Sequence, residues 1–285
     1  MLGIIILIIL LTGMIFVTIG FIDGNRFIVV KQDFYSDKVK EDFRFVLFSD
    51  LHNKVYGKNN EQLLMEIENA NPEAVLIAGD LLTSQPHQNI RPTIELMNAI
   101  CQRWPVYYSL GNHETKLMMY PEDFHEQYAE FIKETEHVHR NVIQNQHIFL
   151  PEKNIDLCGL EIERSYYKRF RKQQLPLSYV TNLVGNAKKD VCEILMAHNP
   201  AYFETYAEWG ADFVLSGHVH GGIMKLPILG GVISPTMRLF PKYDGGIYHE
   251  GKSTMLLSRG LGVHTIPLRI FNPGELHVVT IHAKS

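Results

Sequence analysis

From Leu2 to Ile22 the chain carries no charged residue and is dominated by isoleucine and leucine; beyond it, short apolar runs alternate with polar, amphipathic segments. At helical rise the first stretch is long enough to cross a hydrocarbon core of ~30 Å, which predicts a membrane-spanning helix over residues 1–24. No Lys or Arg precedes it and no small-residue cleavage pattern closes it. The expectation is therefore a retained single-pass anchor in the cell membrane. Arg26, Lys31, Lys38 and Lys40 all follow the span, so the positive-inside tendency expects the remaining chain on the cytoplasmic side.

Phe27 to Lys40 reads as a first strand and a polar turn, within a linker over 25–42. Phe43 to Phe48 is a short apolar run that suits a buried strand and stops at Ser49-Asp50. Asn60 to Ala70 has Leu63, Leu64 and Ile67 at helical spacing, with Asn60 in a capping position. Further strands are predicted at Ala74 to Ala78, Val106 to Ser109, His147 to Leu150, Ile155 to Leu160, Val191 to Ala197, Phe213 to Ser216, Met255 to Ser258 and Leu276 to Ile281. Helices are predicted over Pro92 to Ile100 and, polar and acidic, over Pro121 to His139. Strand and helix alternating in this way argue for an α/β layered fold, one domain over 43–285. Glycine and proline between Gly221 and Gly246 suggest a long structured loop.

The 285 residues are 46% hydrophobic and 20% charged, an ordinary globular balance apart from the apolar start. With 27 basic against 31 acidic residues there is no overall pull toward nucleic acid, and none is expected as a partner. Three separated cysteines suggest neither a disulfide framework nor a thiolate metal site. One segment departs from this balance: Arg164 to Lys172 holds five basic and three aromatic residues. It reads either as a contact for anionic lipid or a phosphorylated substrate, or as a solvated basic face.

Five short segments carry the chemistry: Asp50-Leu51-His52, Gly79-Asp80, Gly111-Asn112-His113-Glu114, Ala197-His198-Asn199 and Gly217-His218-Val219-His220-Gly221-Gly222. Each follows an apolar run, so each sits where a strand ends, the position at which sheets of this class bind ligands. Asp50 and His52, two residues apart, can grip one ion together, and His218 with His220 repeats the spacing. Asp80 offers two oxygens that could bridge cations ~3.5 to 4 Å apart. Asn112 adds an amide oxygen and His198 an imidazole nitrogen. Donors of this kind suit Mn, Fe or Zn. A pair of such ions activates water as hydroxide for in-line attack on phosphorus, and His113 is placed to protonate the leaving oxygen.

The order D-x-H, G-D, G-N-H-[DE], a lone His, then G-H-x-H resembles the calcineurin-like metallophosphoesterases over about Phe43 to Ile281. The resemblance implies a four-layer α/β-β/α sandwich of two mixed sheets, with a dinuclear centre at the sheet edges. It also implies that Asp50, His52 and His220 bind one metal, that Asp80 bridges, and that Asn112, His198 and His218 bind the other, with His113 as proton donor. Phe240 to Tyr243, Ser258 to Gly262 and Pro267 to Asn272 resemble the bacterial, membrane-associated, phosphodiesterase-like branch. Asn272-Pro273-Gly274-Glu275 stands where that branch usually has Asn-Arg-Pro-Glu, and no twin-Arg export signal is present. Arg259 and Arg269 could meet a substrate phosphate or serve as structural ion-pair residues. The expected function is hydrolysis of a phosphodiester or pyrophosphate, in a lipid-linked or envelope substrate. The alternatives are a broad phosphomonoesterase, a nuclease, or a metal-containing binding module without catalysis; oligomeric state is left open.

Overall fold

Two β-sheets lie face to face because their strands present apolar residues on both sides, one toward the other sheet and one toward covering helices. The computed structural model describes residues 1–135, 142–168, 173–222, 224–226, 230–233, 241–263 and 268–284. The chain opens with α1 (Leu2–Gly24), β1 (Phe27–Ser36), β2 (Phe43–Phe48), α2 (Glu61–Ala70), β3 (Ala74–Ala78), α3 (Arg91–Cys101), β4 (Val106–Ser109), α4 (Asn112–Met119) and α5 (Gln127–Glu134). It continues with β5 (Gln146–Leu150), β6 (Ile155–Leu160), α6 (Leu177–Val184), β7 (Cys192–Ala197), α7 (Phe203–Trp209) and β8 (Phe213–Ser216). Then come β9 (Met224–Leu226), β10 (Gly230–Ile233), β11 (Gly246–Glu250), β12 (Ser253–Leu257) and β13 (Gly274–Ala283).

The first sheet has the order β1-β13-β2-β3-β4 and the second β11-β12-β8-β7-β6-β5; β9 and β10 form a small separate pair. Within each sheet the strands that lead to the chemistry are parallel, β2 to β3 to β4 and β6 to β7 to β8. Phe45, Leu47, Leu76 and Val279 of the first sheet meet Leu157, Ile194, Met196 and Leu215 of the second in a buried inner layer. The outer face of the first sheet packs on Leu63 and Ile67 of α2 and on Ile94 and Met97 of α3. That of the second packs on Val180 of α6 and Phe203 and Tyr206 of α7. Four layers, α/β-β/α, result. Each such fully buried aliphatic or aromatic side chain favours the folded state by roughly 1.5 to 3 kcal/mol over exposure.

Helix α1 stands apart from this packing. It is 23 residues long and its apolar side chains are exposed along nearly the whole length; only Gly20, Asp23 and Gly24 are buried.

Three local expectations change. Asn60 stands just before α2 but in a left-handed conformation, φ +62°, without a side-chain cap bond. Its Oδ1 instead accepts from the Tyr56 N–H at 2.9 Å, closing the preceding loop. The stretch from Pro121 is a short 3₁₀ turn over Glu122–Phe124, two left-handed residues, His125 and Glu126, and then α5. No apolar residue lies between Phe124 and Tyr128 to hold a continuous helix on the core, and residues 136–139 lie outside the described part. The loop after Gly221 contains the β9–β10 pair, while residues 223, 227–229 and 234–240 lie outside the described part.

One part-buried ionic cluster fastens the second sheet to the end of α6. Both ring nitrogens of His147 face acceptors, Asp156 Oδ2 and the Val184 carbonyl, each at 2.7 Å, so the ring is an imidazolium, and the bond to Asp156 raises it to about 11. It caps the last carbonyl of α6, where positive charge is favoured. Lys188 Nζ completes the cluster at 2.8 Å from Asp156. His147, Asp156 and Glu193 have metal-like spacing, but this ring has no lone pair left for an ion.

Candidate metal centre

Every one of the five motif segments begins at the carboxyl end of a parallel strand. Asp50 and His52 follow β2, Asp80 follows β3, and Asn112 and His113 open α4 after β4; His198 follows β7, and His218 and His220 follow β8. The two sheets are stitched together there, with Ser109 Oγ donating to the Met196 carbonyl at 2.9 Å and His198 Nδ1 to the Ala78 carbonyl at 2.6 Å. Parallel strands that stop in register on facing sheets bring residues 170 positions apart in sequence, such as Asp50 and His220, to one point.

The backbone turns abruptly to achieve this. Asp50, His52, Asp80, His218 and His220 all have φ between +49° and +74°, a region that costs side-chain-bearing residues free energy and that clusters at functional sites. Two glycines make room. A Cβ on Gly79 would stand 2.6 Å from His198 Nδ1, and one on Gly111 would overlap the Asp80 carboxylate.

Asp50, His52 and His220 bring one ligand atom each within 4.8 Å of one another, and so do Asp80, His198 and His218. Asp80 stands between the groups: its Oδ2 is 3.0 Å from His198 Nε2 and 3.9 Å from His52 Nε2. Asp50 Oδ1 is 3.4 Å from His220 Nε2 and 3.7 Å from His198 Nε2. Asn112 Oδ1 is buried and has no hydrogen-bond partner among the described residues, an unusual state for a buried amide oxygen.

Proton positions separate these histidines into two kinds. A carbonyl only accepts, so His52 Nδ1 (3.3 Å from the Leu82 carbonyl), His198 Nδ1 (2.6 Å from Ala78) and His220 Nδ1 (3.1 Å from Gly262) must each carry a proton. Their Nε2 lone pairs therefore turn inward, the arrangement that outer partners impose on metal-binding imidazoles. His52 Nε2 and His220 Nε2 lie only 3.3 Å apart. Two facing lone pairs and two buried carboxylates require positive charge between them. The charges respond accordingly: burial and Asp80 push Asp50 up to about 6, against His198, while against the downward pull of burial Asp80 and Asp50 raise His198 to about 10, a proton on Nε2 being one form that the positive charge can take. A cation-binding cluster of imidazole, carboxylate and amide donors fits these residues.

His113 is the opposite case. Its Nδ1 accepts from the Ser84 N–H at 2.8 Å, so the proton sits on Nε2. Burial lowers its pKa, against the pull of Asp80. The sequence alone does not reveal Ser84 as the residue that sets this tautomer. Glu114 plays another part: its carboxylate accepts from the amides of Asp80 (2.9 Å), Gly111 (2.9 Å) and Leu82 (3.0 Å), clipping the turn after β3 to the start of α4. A Glu three residues after Gly111 has capping-box spacing, a signal that the sequence does hold.

Arg259 and Arg269 are near the centre but engaged with protein groups. Arg259 pairs with the Glu275 carboxylate and reaches Asn272 Oδ1 at 3.3 Å. Arg269, 1% exposed, donates to the carbonyls of Arg259 (2.9 Å), Gly260 (3.1 Å), Gly262 (2.6 Å) and Asn272 (3.4 Å). Arg269→Lys should lower thermal stability by about 2 to 4 kcal/mol, hence about 5 °C or more in Tm, because an ammonium cannot serve this fork. Calorimetry checks it. An unchanged Tm with a raised KM would instead assign Arg269 to substrate phosphate. The basic segment's first part, Arg164–Tyr167, is a 3₁₀ turn whose Tyr167 ring meets the His218 ring edge-on at 5.1 Å, forming one lip of the centre. Arg169 to Lys172 lie outside the described residues.

The calcineurin-like phosphoesterase family model matches residues 43–222, which hold all seven candidate ligands and His113. The chain belongs to the calcineurin-like phosphoesterases. It is 27% identical over 264 residues to an uncharacterized metallophosphoesterase of Campylobacter jejuni, covering 86% of this chain and 61% of that one. Against the uncharacterized metallophosphoesterase YkuE of Bacillus subtilis it is 25% identical, covering 84% and 79%. A Danio rerio relative described as a transmembrane protein with a metallophosphoesterase domain is 28% identical, covering 82% of this chain and 52% of that protein. The chain thus spans less than two thirds of the Campylobacter and Danio relatives. Residues 43–222 are thus a calcineurin-like phosphoesterase domain.

Proposed function

We propose that this phosphoesterase is dinuclear, is held at the cell membrane by α1, and hydrolyses a phosphodiester or pyrophosphate bond. Asp50, His52 and His220 would hold one ion, Asn112, His198 and His218 the other, and Asp80 both. Mn, Fe and Zn all suit these donors. Two such cations, when bound, supply an activated water and neutralise phosphate charge.

The chain's own residues do the rest. The Leu82, Ala78 and Gly262 carbonyls fix the inward lone pairs of His52, His198 and His220. Ser84 fixes the reverse tautomer in His113, whose Nε2 proton is then available to a leaving alkoxide. What supports catalysis over simple metal storage is this opposition: of the four imidazoles in the proposed ligand set, three have their tautomer fixed for ligation, while His113 is fixed to donate, around the same carboxylates. The basic residues after the span favour the cytoplasmic face for the catalytic domain.

Purified full-length chain should contain two transition-metal ions by elemental analysis and hydrolyse bis(p-nitrophenyl) phosphate. A chelator should abolish turnover, and Mn, Fe or Zn should restore it. Two bound metals with no hydrolysis of any phosphoester would favour the binding-module reading. Faster cleavage of p-nitrophenyl phosphate than of the diester would favour the monoesterase.

A further inference from the structure

Helix α1 meets the rest of the molecule along a short seam opposite Leu268 to Asn272, the segment between the metal loops and β13. Gly20 allows the close approach: a Cβ there would stand 3.1 Å from Leu268 Cδ2 and 3.2 Å from Ile270 Cγ1. The Arg269 N–H donates to the Gly20 carbonyl at 3.3 Å, and the Phe271 ring meets Phe16 edge-on at 6.1 Å. Phe16 lies two turns inside the helix, roughly 12 Å from its end at Gly24. A side chain beside it lies at hydrocarbon depth if α1 crosses a bilayer. Phe271 is 42% exposed and has φ +53°, a conformation that bulky residues avoid. An exposed, strained aromatic beside an exposed apolar helix would face lipid if that helix crosses a bilayer.

The other side of the same segment reaches the metal loops. The Asn272 N–H donates to Asp23 Oδ2 at 3.2 Å, while its side-chain amide donates to the carbonyls of His220 and Gly222, both at 2.7 Å. Arg269 shares the Gly262 carbonyl with His220 Nδ1. One residue therefore joins the last turn of α1 to a candidate ligand. Arg26 is ion-paired with Asp23 at 2.7 Å, so Lys54, held on Asn25 Oδ1 at 2.6 Å, leaves one net positive charge among these three side chains where the helix ends, the level of lipid phosphates.

We propose that Leu268 to Asn272 is a second membrane-contacting element, which seats the metal centre at the lipid–water boundary against a phosphoester carried by a lipid of the same leaflet. It rests on the proposed membrane crossing of α1 and on the phosphoesterase reading.

The test uses the full chain in lipid nanodiscs. Phe271→Trp should add emission that is quenched by lipids brominated along their acyl chains, above the wild-type signal of Trp104 and Trp209. Phe271→Asn suits the left-handed backbone and removes the apolar contact. It should cut hydrolysis of a diacylglycerol p-nitrophenyl phosphodiester about tenfold or more, while bis(p-nitrophenyl) phosphate stays within about twofold, since only the lipid substrate depends on seating. Added emission that the brominated lipids leave unquenched, or equal losses on both substrates, would overturn the proposal. A wild-type chain that alkaline washing strips from vesicles would sink the anchor and this inference together. Wild-type chain inactive on both diesters would remove the phosphoesterase reading, with quenching still deciding the membrane contact.

Discussion

Asp80→Ala should empty the centre of both metals and abolish phosphoester hydrolysis in the same preparation. Asp80 Oδ2 lies 3.0 Å from His198 Nε2 and 3.9 Å from His52 Nε2, residues assigned to different ions, while Oδ1 accepts from the His113 N–H at 2.8 Å. Removing this carboxylate deletes the negative charge that both proposed cations would share and loosens the start of α4. The loss in turnover should exceed the roughly 10² to 10³ typical of a single lost electrostatic contact. Asp80→Asn is the control: it tolerates the left-handed φ of +55° and keeps an acceptor for the His113 amide, but lacks the charge. It should resemble Asp80→Ala in metal content while unfolding near the wild-type temperature. Elemental analysis beside a chromogenic diester assay reads both effects, and full occupancy of both ions in either variant would contradict the bridging role.

The candidate site is legible in the sequence to the extent that each ligand is local to a strand end. Phe43–Phe48, Ala74–Ala78, Val106–Ser109 and Phe213–Ser216 have the predicted bounds because a serine or glycine stands at or within two residues of the end of each apolar run. What sets proton positions is not local. Ser84 meets His113 across 29 positions, Ala78 meets His198 across 120, and Gly262 meets His220 across 42. No spacing rule connects these pairs. The seam between α1 and Leu268 to Asn272 is equally hidden, since Asp23 and Asn272 are 249 positions apart. Asn60 shows the converse, a residue of capping type in a capping position whose side chain is claimed by Tyr56 instead. Left-handed backbone at the ligands is foreshadowed only by the adjacent glycines, because asymmetric turns at Asp and His depend on what faces them.

His113→Ala should leave both metals in place and slow hydrolysis of an alkyl phosphodiester by roughly 10² to 10⁴, the usual worth of a positioned general acid. The expectation follows from which nitrogen holds the proton. Ser84 donates to Nδ1 from its backbone amide at 2.8 Å, and its hydroxyl stands 2.9 Å from the same atom, so the only N–H that a neutral His113 ring can offer the centre is at Nε2. That is a donor's tautomer, unlike those of His52, His198 and His220. An alkoxide leaving group needs this proton; p-nitrophenolate, a far weaker base, does not. The defect should therefore shrink toward unity on bis(p-nitrophenyl) phosphate while remaining large on the alkyl ester. Ser84→Ala retains the amide that fixes the tautomer and should cost much less than His113→Ala. Equal losses for both leaving groups would assign His113 to stabilising charge on the phosphoryl oxygens rather than to protonating the departing one. A variant depleted of metal would make it a ligand, as its grouping with His52 and Asp80 would then require.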